Sequence, residues 1–230
     1  FFDDLFDQVT AIDLPKWLPK DAQFPITDVH TKSSDIFSKS DTQRIVKKAI
    51  VQSLQTAYKL QQFPETGSIY PIRIRIESNQ VTVLLDSSGH GLNKRGYRSR
   101  FDAPLRETLA AGILKLSRWN PENDALLDPF CGSGTILIEA AMIANNIAPG
   151  INQTFCSESW PILLNNWISE RELALAAQKT TDFRIYGSDN NPQILKTARY
   201  NIKNSGLSNI FVETKDKLQL SYQYYFFYTS

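Results

Sequence analysis

Asp128-Pro129-Phe130-Cys131-Gly132-Ser133-Gly134-Thr135 joins a short apolar run, residues 125–130, to an apolar helical run, residues 135–145. A strand that ends in a glycine turn and feeds a helix forms the crevice at the carboxyl ends of an open α/β sheet, where ligands bind. Gly132 and Gly134 lack a Cβ, so the backbone can turn sharply and approach a ligand closely. The helix that follows offers free N–H groups and the positive end of its dipole. A dinucleotide loop would continue as GxGxxG, but Leu137 stands at the third glycine position. A P-loop would place Lys before Ser or Thr, but Thr135-Ile136 follows the last glycine. A ligand carrying both a carboxylate and an ammonium fits better. Backbone N–H groups meet the carboxylate and Asp128 accepts from the ammonium. The methionine end of S-adenosylmethionine has both groups.

On the C-terminal side the pattern alternates. Residues 183–188 read as a strand, 192–205 as a helix and 209–213 as a third strand. With the first strand and helix this gives βαβαβ, the signature of a parallel, doubly wound, Rossmann-like α/β sheet. Tyr186-Gly187-Ser188-Asp189-Asn190-Asn191-Pro192 closes the second strand. An acid at that end can accept from both ribose hydroxyls, which selects Asp189, with Asn190 bordering the adenine. The usual separation from the glycine loop is about 20 residues. Here an insert holding Trp160, Pro161 and Trp167 lengthens it, and residues 170–179 within that insert read as helical.

On the N-terminal side, residues 41–60 carry apolar positions at helical spacing, with Ser40 or Asp41 as N-cap. Ile72, Ile74 and Ile76 alternate with Arg73 and Arg75, and Ser78-Asn79 separates them from residues 81–86, which predicts a hairpin. Residues 89–96 read as a connector. Residues 103–118 read as a helix with Pro104 in its first turn and an apolar stripe of Leu105, Leu109, Ile113 and Leu116. The domain boundary is expected near residue 100.

The chain has 230 residues, 42% hydrophobic and 21% charged, with a formal net charge of +1, the profile of an ordinary globular protein. No apolar run approaches the roughly 20 residues that cross a bilayer. Two cysteines, Cys131 and Cys156, suggest neither a disulfide scaffold nor a metal site, and a reducing, cytoplasmic setting is expected. Arg44, Lys47, Lys48, Lys94, Arg95 and Arg98, with other basic residues, all fall in the first hundred positions, and the part after that is slightly acidic. A basic module attached to a neutral or acidic one suggests binding joined to catalysis; scattered solvated lysines are the plainer alternative.

The octapeptide 128–135 closely resembles the first motif of methyltransferases that act on exocyclic base amines, which implies that Phe130 and Cys131 line the cofactor cleft. Gly91-Leu92-Asn93-Lys94-Arg95-Gly96-Tyr97-Arg98, followed by Ala103-Pro104-Leu105-Arg106-Glu107-Thr108-Leu109-Ala110-Ala111, resembles the join between the two parts of THUMP-domain methyltransferases related to the bacterial 23S ribosomal RNA guanine-N2 enzyme. Asp3-Asp4-Leu5-Phe6, residues 38–50 and the insert around Ala148-Pro149-Gly150 and Trp160-Pro161 resemble the same family. The resemblance implies an incomplete α+β THUMP region at 1–90, a linker and helix at 91–120, and a methyltransferase domain, incomplete at its C-terminus, at 121–230. It implies that Pro104, Leu105 and Thr108 lie beside the methionine end of the cofactor and that Asp216, with Glu213 as competitor, meets the adenine amine. It implies RNA, specifically 23S ribosomal RNA, as partner, bound by Arg44, Lys47, Lys48, Lys94, Arg95 and Arg98. No metal is expected. The family's Asn/Asp-Pro-Pro-Tyr run, which holds the target amine, does not occur here, so no catalytic residue is assigned. A DNA adenine-N6 methyltransferase and a non-catalytic RNA-binding protein with a vestigial cofactor fold are the competing expectations.

Overall fold

The computed structural model describes residues 2–35, 38–98 and 105–215. It divides into two compact units, Phe1–His90 with Thr154–Ile168, and Gly91–Gln153 with Ser169–Ser230.

In the first unit, helix α1 (Phe2–Thr10) is followed by strand β1 (Ile26–Lys32), helix α2 (Lys39–Tyr58) and the hairpin β2 (Ile72–Glu77) and β3 (Gln80–Leu85). The sheet order is β1-β2-β3, parallel between β1 and β2 and antiparallel between β2 and β3. The hairpin turn puts Ser78 and Asn79 at φ 48° and 63°, the left-handed values that a two-residue hairpin loop demands. Ile72, Ile74 and Ile76 are buried and Arg73 and Arg75 exposed, as the alternation predicts. Helix α2 begins two residues earlier than the spacing suggests, because Ser38 is its cap: its hydroxyl accepts from the Asp41 N–H at 3.3 Å. Val46, Ala49, Ile50 and Leu54 seat α2 in the core. Trp160, from the insert, also packs into this core. It stacks on Tyr70 with ring centroids 4.7 Å apart and donates its indole N–H to the Ile69 carbonyl at 2.9 Å.

In the second unit, helix α3 (Glu107–Leu116) leads to strand β4 (Ala125–Asp128) and helix α4 (Thr135–Ala144). Helix α5 (Leu164–Ala176), whose first residues belong to the first unit, precedes strand β5 (Arg184–Asp189), helix α6 (Pro192–Ser205) and strand β6 (Ile210–Thr214). The sheet order β4-β5-β6 is all parallel. Helix α6 is bracketed by local signals: Asn191 caps it, Pro192 opens it and Gly206 closes it at φ 71°.

Helix α3 departs from expectation. Its buried residues are Glu107, Ala110 and Leu114, while Leu109, Ile113 and Leu116 are exposed, the last at 84%. The apolar stripe read from spacing is therefore the outer face. A buried carboxylate on the inner face is stable because Arg98 lies against it, with Nε 3.2 Å from the Glu107 carboxylate. The insert's helix also starts earlier than residue 170 and ends before 179.

Candidate cofactor cleft

Parallel pairing of β4 with β5 sets Asp128 beside Gly187, so the strand ends carrying Asp128 and Asp189 open on one edge. The glycine loop between β4 and α4 lies across that edge and is tied to it. The Cys131 N–H donates to the Ser188 carbonyl at 2.9 Å, and the Gly132 N–H to Asp189 Oδ2 at 3.1 Å. The Gly134 N–H turns inward to the Cys131 carbonyl at 2.8 Å. Gly132 and Gly134 sit at φ 51° and 82°, which side-chain-bearing residues rarely adopt. Gly134 is also the N-cap of α4, so the N–H groups of the helix's first turn point out without intrahelical partners.

Over this loop opens a cleft of about 670 Å³. Leu105, Asp128, Phe130, Cys131, Gly132 and Ser133 border it on one side, and Asn191, Ile194 and Thr197 of the α6 end on the other. Asp128 accepts from the Phe130 N–H at 3.1 Å. Burial raises its carboxyl above the ordinary carboxylate range, and the neighbouring Asp189 charge pushes the same way. Asp128 borders the cleft, whereas Asp189 and Gly134 are not among its lining residues.

Asn191 caps α6, accepting from Gln193 and Ile194, and Asp189 Oδ1 accepts from the Asn191 N–H at 2.9 Å. A single carboxylate thus joins the glycine loop to the start of α6. Sequence reasoning missed Asn191 and Ile194 as cleft residues, although an Asn directly before a helix-opening Pro is a readable capping signal. Asn190 and Thr108 are exposed and do not border the cleft. Pro104 and Asp216 lie outside the described residues. Glu213 pairs with Lys215 at 2.8 Å.

Phe130 is two-thirds exposed, whereas Cys131 is buried, and burial pushes its thiol up to about 12. A raised pKa leaves far less thiolate at neutral pH, and the thiolate is the reactive form. Iodoacetamide at pH 8 should therefore leave Cys131 unmodified in the folded protein and label it only in denaturant. Mass-spectrometric mapping checks this; labelling at the rate of a free thiol would assign Cys131 a role other than wall.

The basic residues separate into two groups. Arg44, Lys48 and Lys94 are exposed. Lys47 is half-buried: it lies 3.6 Å over the Phe24 ring, donates to the Phe24 carbonyl and faces Glu65, and desolvation lowers its pKa. Arg95 and Arg98 are directed toward buried acids. The Arg95 side chain is 8% exposed and meets buried Glu139 with both Nε and Nη2 at 3.4 Å. Arg98 Nε lies 3.2 Å from the Glu107 carboxylate in an ion pair, and its Nη2 donates to the Leu105 carbonyl and the Thr135 hydroxyl. Each is ion-paired with a buried acid, which turns its charge inward.

Residues 95–224 match the family model described as RMKL-like, methyltransferase domain, and residues 1–86 match that of the THUMP domain. The chain belongs to the RMKL-like methyltransferases. YpsC of Bacillus subtilis (strain 168), named as a candidate RNA methyltransferase, is 40% identical over 91% of this chain and 55% of its own length. The ribosomal RNA large subunit methyltransferase K/L of Buchnera aphidicola is 33% identical over 97% of this chain and 33% of its own. The solved structure of SMU.472, complexed with SAH, superposes with a TM-score of 0.90 or better (0.91) at 34% identity, covering 97% of this chain and 60% of that one. The chain thus spans about half the length of YpsC and a third of the K/L enzyme. Among the described residues no helix is long and apolar enough to cross a membrane.

Proposed function

We propose that this chain carries the cofactor-binding half of an S-adenosylmethionine-dependent RNA methyltransferase of the cytoplasm, acting on an exocyclic base amine, with guanine N2 of 23S ribosomal RNA as the favoured target. The observation that carries the reading is the tie between Asp189 and the Gly132 N–H. It holds the glycine loop so that the open first turn of α4 and the Asp128 carboxylate face one cleft. The fit to the cofactor is chemical: N–H donors for its carboxylate, an acid for its ammonium, and a second acid near its ribose. Asp189 uses one lone pair of each oxygen on the backbone, and a carboxylate keeps further acceptor sites for hydroxyls. Phe130 and Ile194 supply apolar walls.

When bound, S-adenosylmethionine supplies an electrophilic methyl group on a sulfonium. The chain's own part is positioning. Asp128 and the α4 head fix the amino-acid end, so that an incoming amine nitrogen meets the methyl in line. A base within a stacked helix has to swing out to reach the cleft. The exposed Arg44 and Lys48 suit phosphate contacts, which position RNA without reading its sequence.

Titration calorimetry with S-adenosylhomocysteine tests the cofactor half. Asp189→Ala should weaken binding by at least about tenfold, since bonds to a charged group are worth roughly 1.5–3 kcal/mol. Unchanged affinity would count against the assignment. Labelled methyl transfer into large-subunit ribosomal RNA against duplex DNA, with nucleoside analysis of the product, separates the RNA reading from the DNA one.

A further inference from the structure

We infer that Asn201, a residue outside the cleft, is a positioning residue for the methionine end of the cofactor. The inference rests on the cofactor reading above and adds a residue that touches no ligand.

Asn201 lies in α6 and is 1% exposed. An asparagine in a helix interior is a costly choice, because it is a modest helix former and buries an amide that must find partners. Its Nδ2 donates to the Ser133 carbonyl at 3.0 Å. One turn earlier on the same face, Ala198 lies under Gly134, where a glycine Cβ would come 3.5 Å from the alanine Cβ. The glycine loop therefore rests on a small bed of α6, made of Ala198 and Asn201.

The other peptides of the loop are held from elsewhere. The end of β5 takes the N–H groups of Cys131 and Gly132. The Ser133 carbonyl is held from behind by Asn201. That carbonyl and the Gly134 N–H belong to one planar peptide, so Asn201 holds one edge of it and the Cys131 carbonyl, accepting from Gly134, holds the other, and together they set the entry of the chain into α4. The direction of the N–H groups at the α4 head follows from that plane. Asn201 thus sets the donor geometry for a carboxylate without approaching it, while the nucleoside end of the cleft does not depend on this bond.

The test compares two ligands on the same chain. S-adenosylhomocysteine carries the amino-acid end, and 5′-methylthioadenosine lacks it while keeping the nucleoside and the sulfur. Calorimetry is run on wild type, Asn201→Ala and Asn201→Ser, well below the melting temperature of each, with circular dichroism confirming the fold. The serine hydroxyl can satisfy itself on the carbonyl one turn back but is too short to reach Ser133, so it guards against a variant that fails to fold. Both variants should lose about tenfold in affinity for S-adenosylhomocysteine, the scale of one lost hydrogen bond, and hold methylthioadenosine within about twofold. Equal losses for both ligands would reduce Asn201 to a packing residue, and no loss for either would remove the role altogether. Failure of the wild type to bind either ligand would instead overturn the cofactor reading, and this inference with it.

Discussion

Arg95→Ala should lower the stability of the second unit by about 3–5 kcal/mol, the range for stripping one partner from a buried ion pair. Glu139 is 2% exposed and Arg95 8%, so water cannot replace the lost guanidinium. The Tyr97 hydroxyl, 3.1 Å from Glu139 Oε1, remains as a single neutral donor to a full charge. In calorimetry the melting temperature should fall on the order of 10 °C. The sign of the pH dependence follows from the carboxyl. Burial raises the Glu139 pKa and Arg95 opposes that rise, so removing Arg95 raises it further. The folded variant then takes up a proton at a pH where the unfolded chain, with a glutamate near 4.3, does not. Its deficit against wild type should be greatest at pH 8 and shrink as the pH falls through the raised folded value, until the unfolded carboxyl titrates too. Glu139→Gln in the Arg95→Ala background should recover much of the loss at pH 8. A melting temperature unmoved at pH 8 would mean that the pair is solvated and that Arg95 is available to RNA after all.

That pair also shows where the sequence stops being readable. The glycine octapeptide, Asp189 and the alternation of strands and helices after residue 125 are local signals, and the structure places those elements within a residue or two of their expected limits. Helix α6 keeps the limits read for it, 192–205, and its cap Asn191, opening Pro192 and closing Gly206 all stand at its two ends. Arg95 and Arg98 look like phosphate ligands for the opposite reason. The acid that absorbs Arg95 stands 44 positions away, and nothing near it in sequence announces the pairing. Helix α3 fails in the same way: spacing finds its apolar face, but a buried Glu107 reverses which face is inside. Strand β1 went unread because only Val29 of its seven residues is buried, so no alternation appears. Trp160 could not be assigned to the N-terminal core, since its partners Ile69 and Tyr70 lie some 90 residues upstream.

Gly187→Val should cost both stability and cofactor affinity. Gly187 has an ordinary strand backbone and is not needed for a turn; the constraint is space. A Cβ there would come 2.4 Å from Leu137 Cδ1, 3.0 Å from Cys131 Cβ and 3.1 Å from its Sγ. Leu137 is fully buried and cannot swing into solvent, and Cys131 is anchored through its N–H to Ser188. The strain must therefore pass into the glycine loop, breaking the Asp189–Gly132 bond or tilting the head of α4. Overpacking of this kind costs about 1–3 kcal/mol, and the S-adenosylhomocysteine affinity should fall more than about tenfold as the loop shifts. Gly187→Ala should show the same direction to a smaller degree. Cys131→Ala, added to Gly187→Ala, should restore part of the binding by removing the Sγ contact. If Gly187→Val lowers the melting temperature yet binds normally, the loop and the sheet beneath it are not mechanically coupled. The bed that β5 provides would then be separable from the cleft above it.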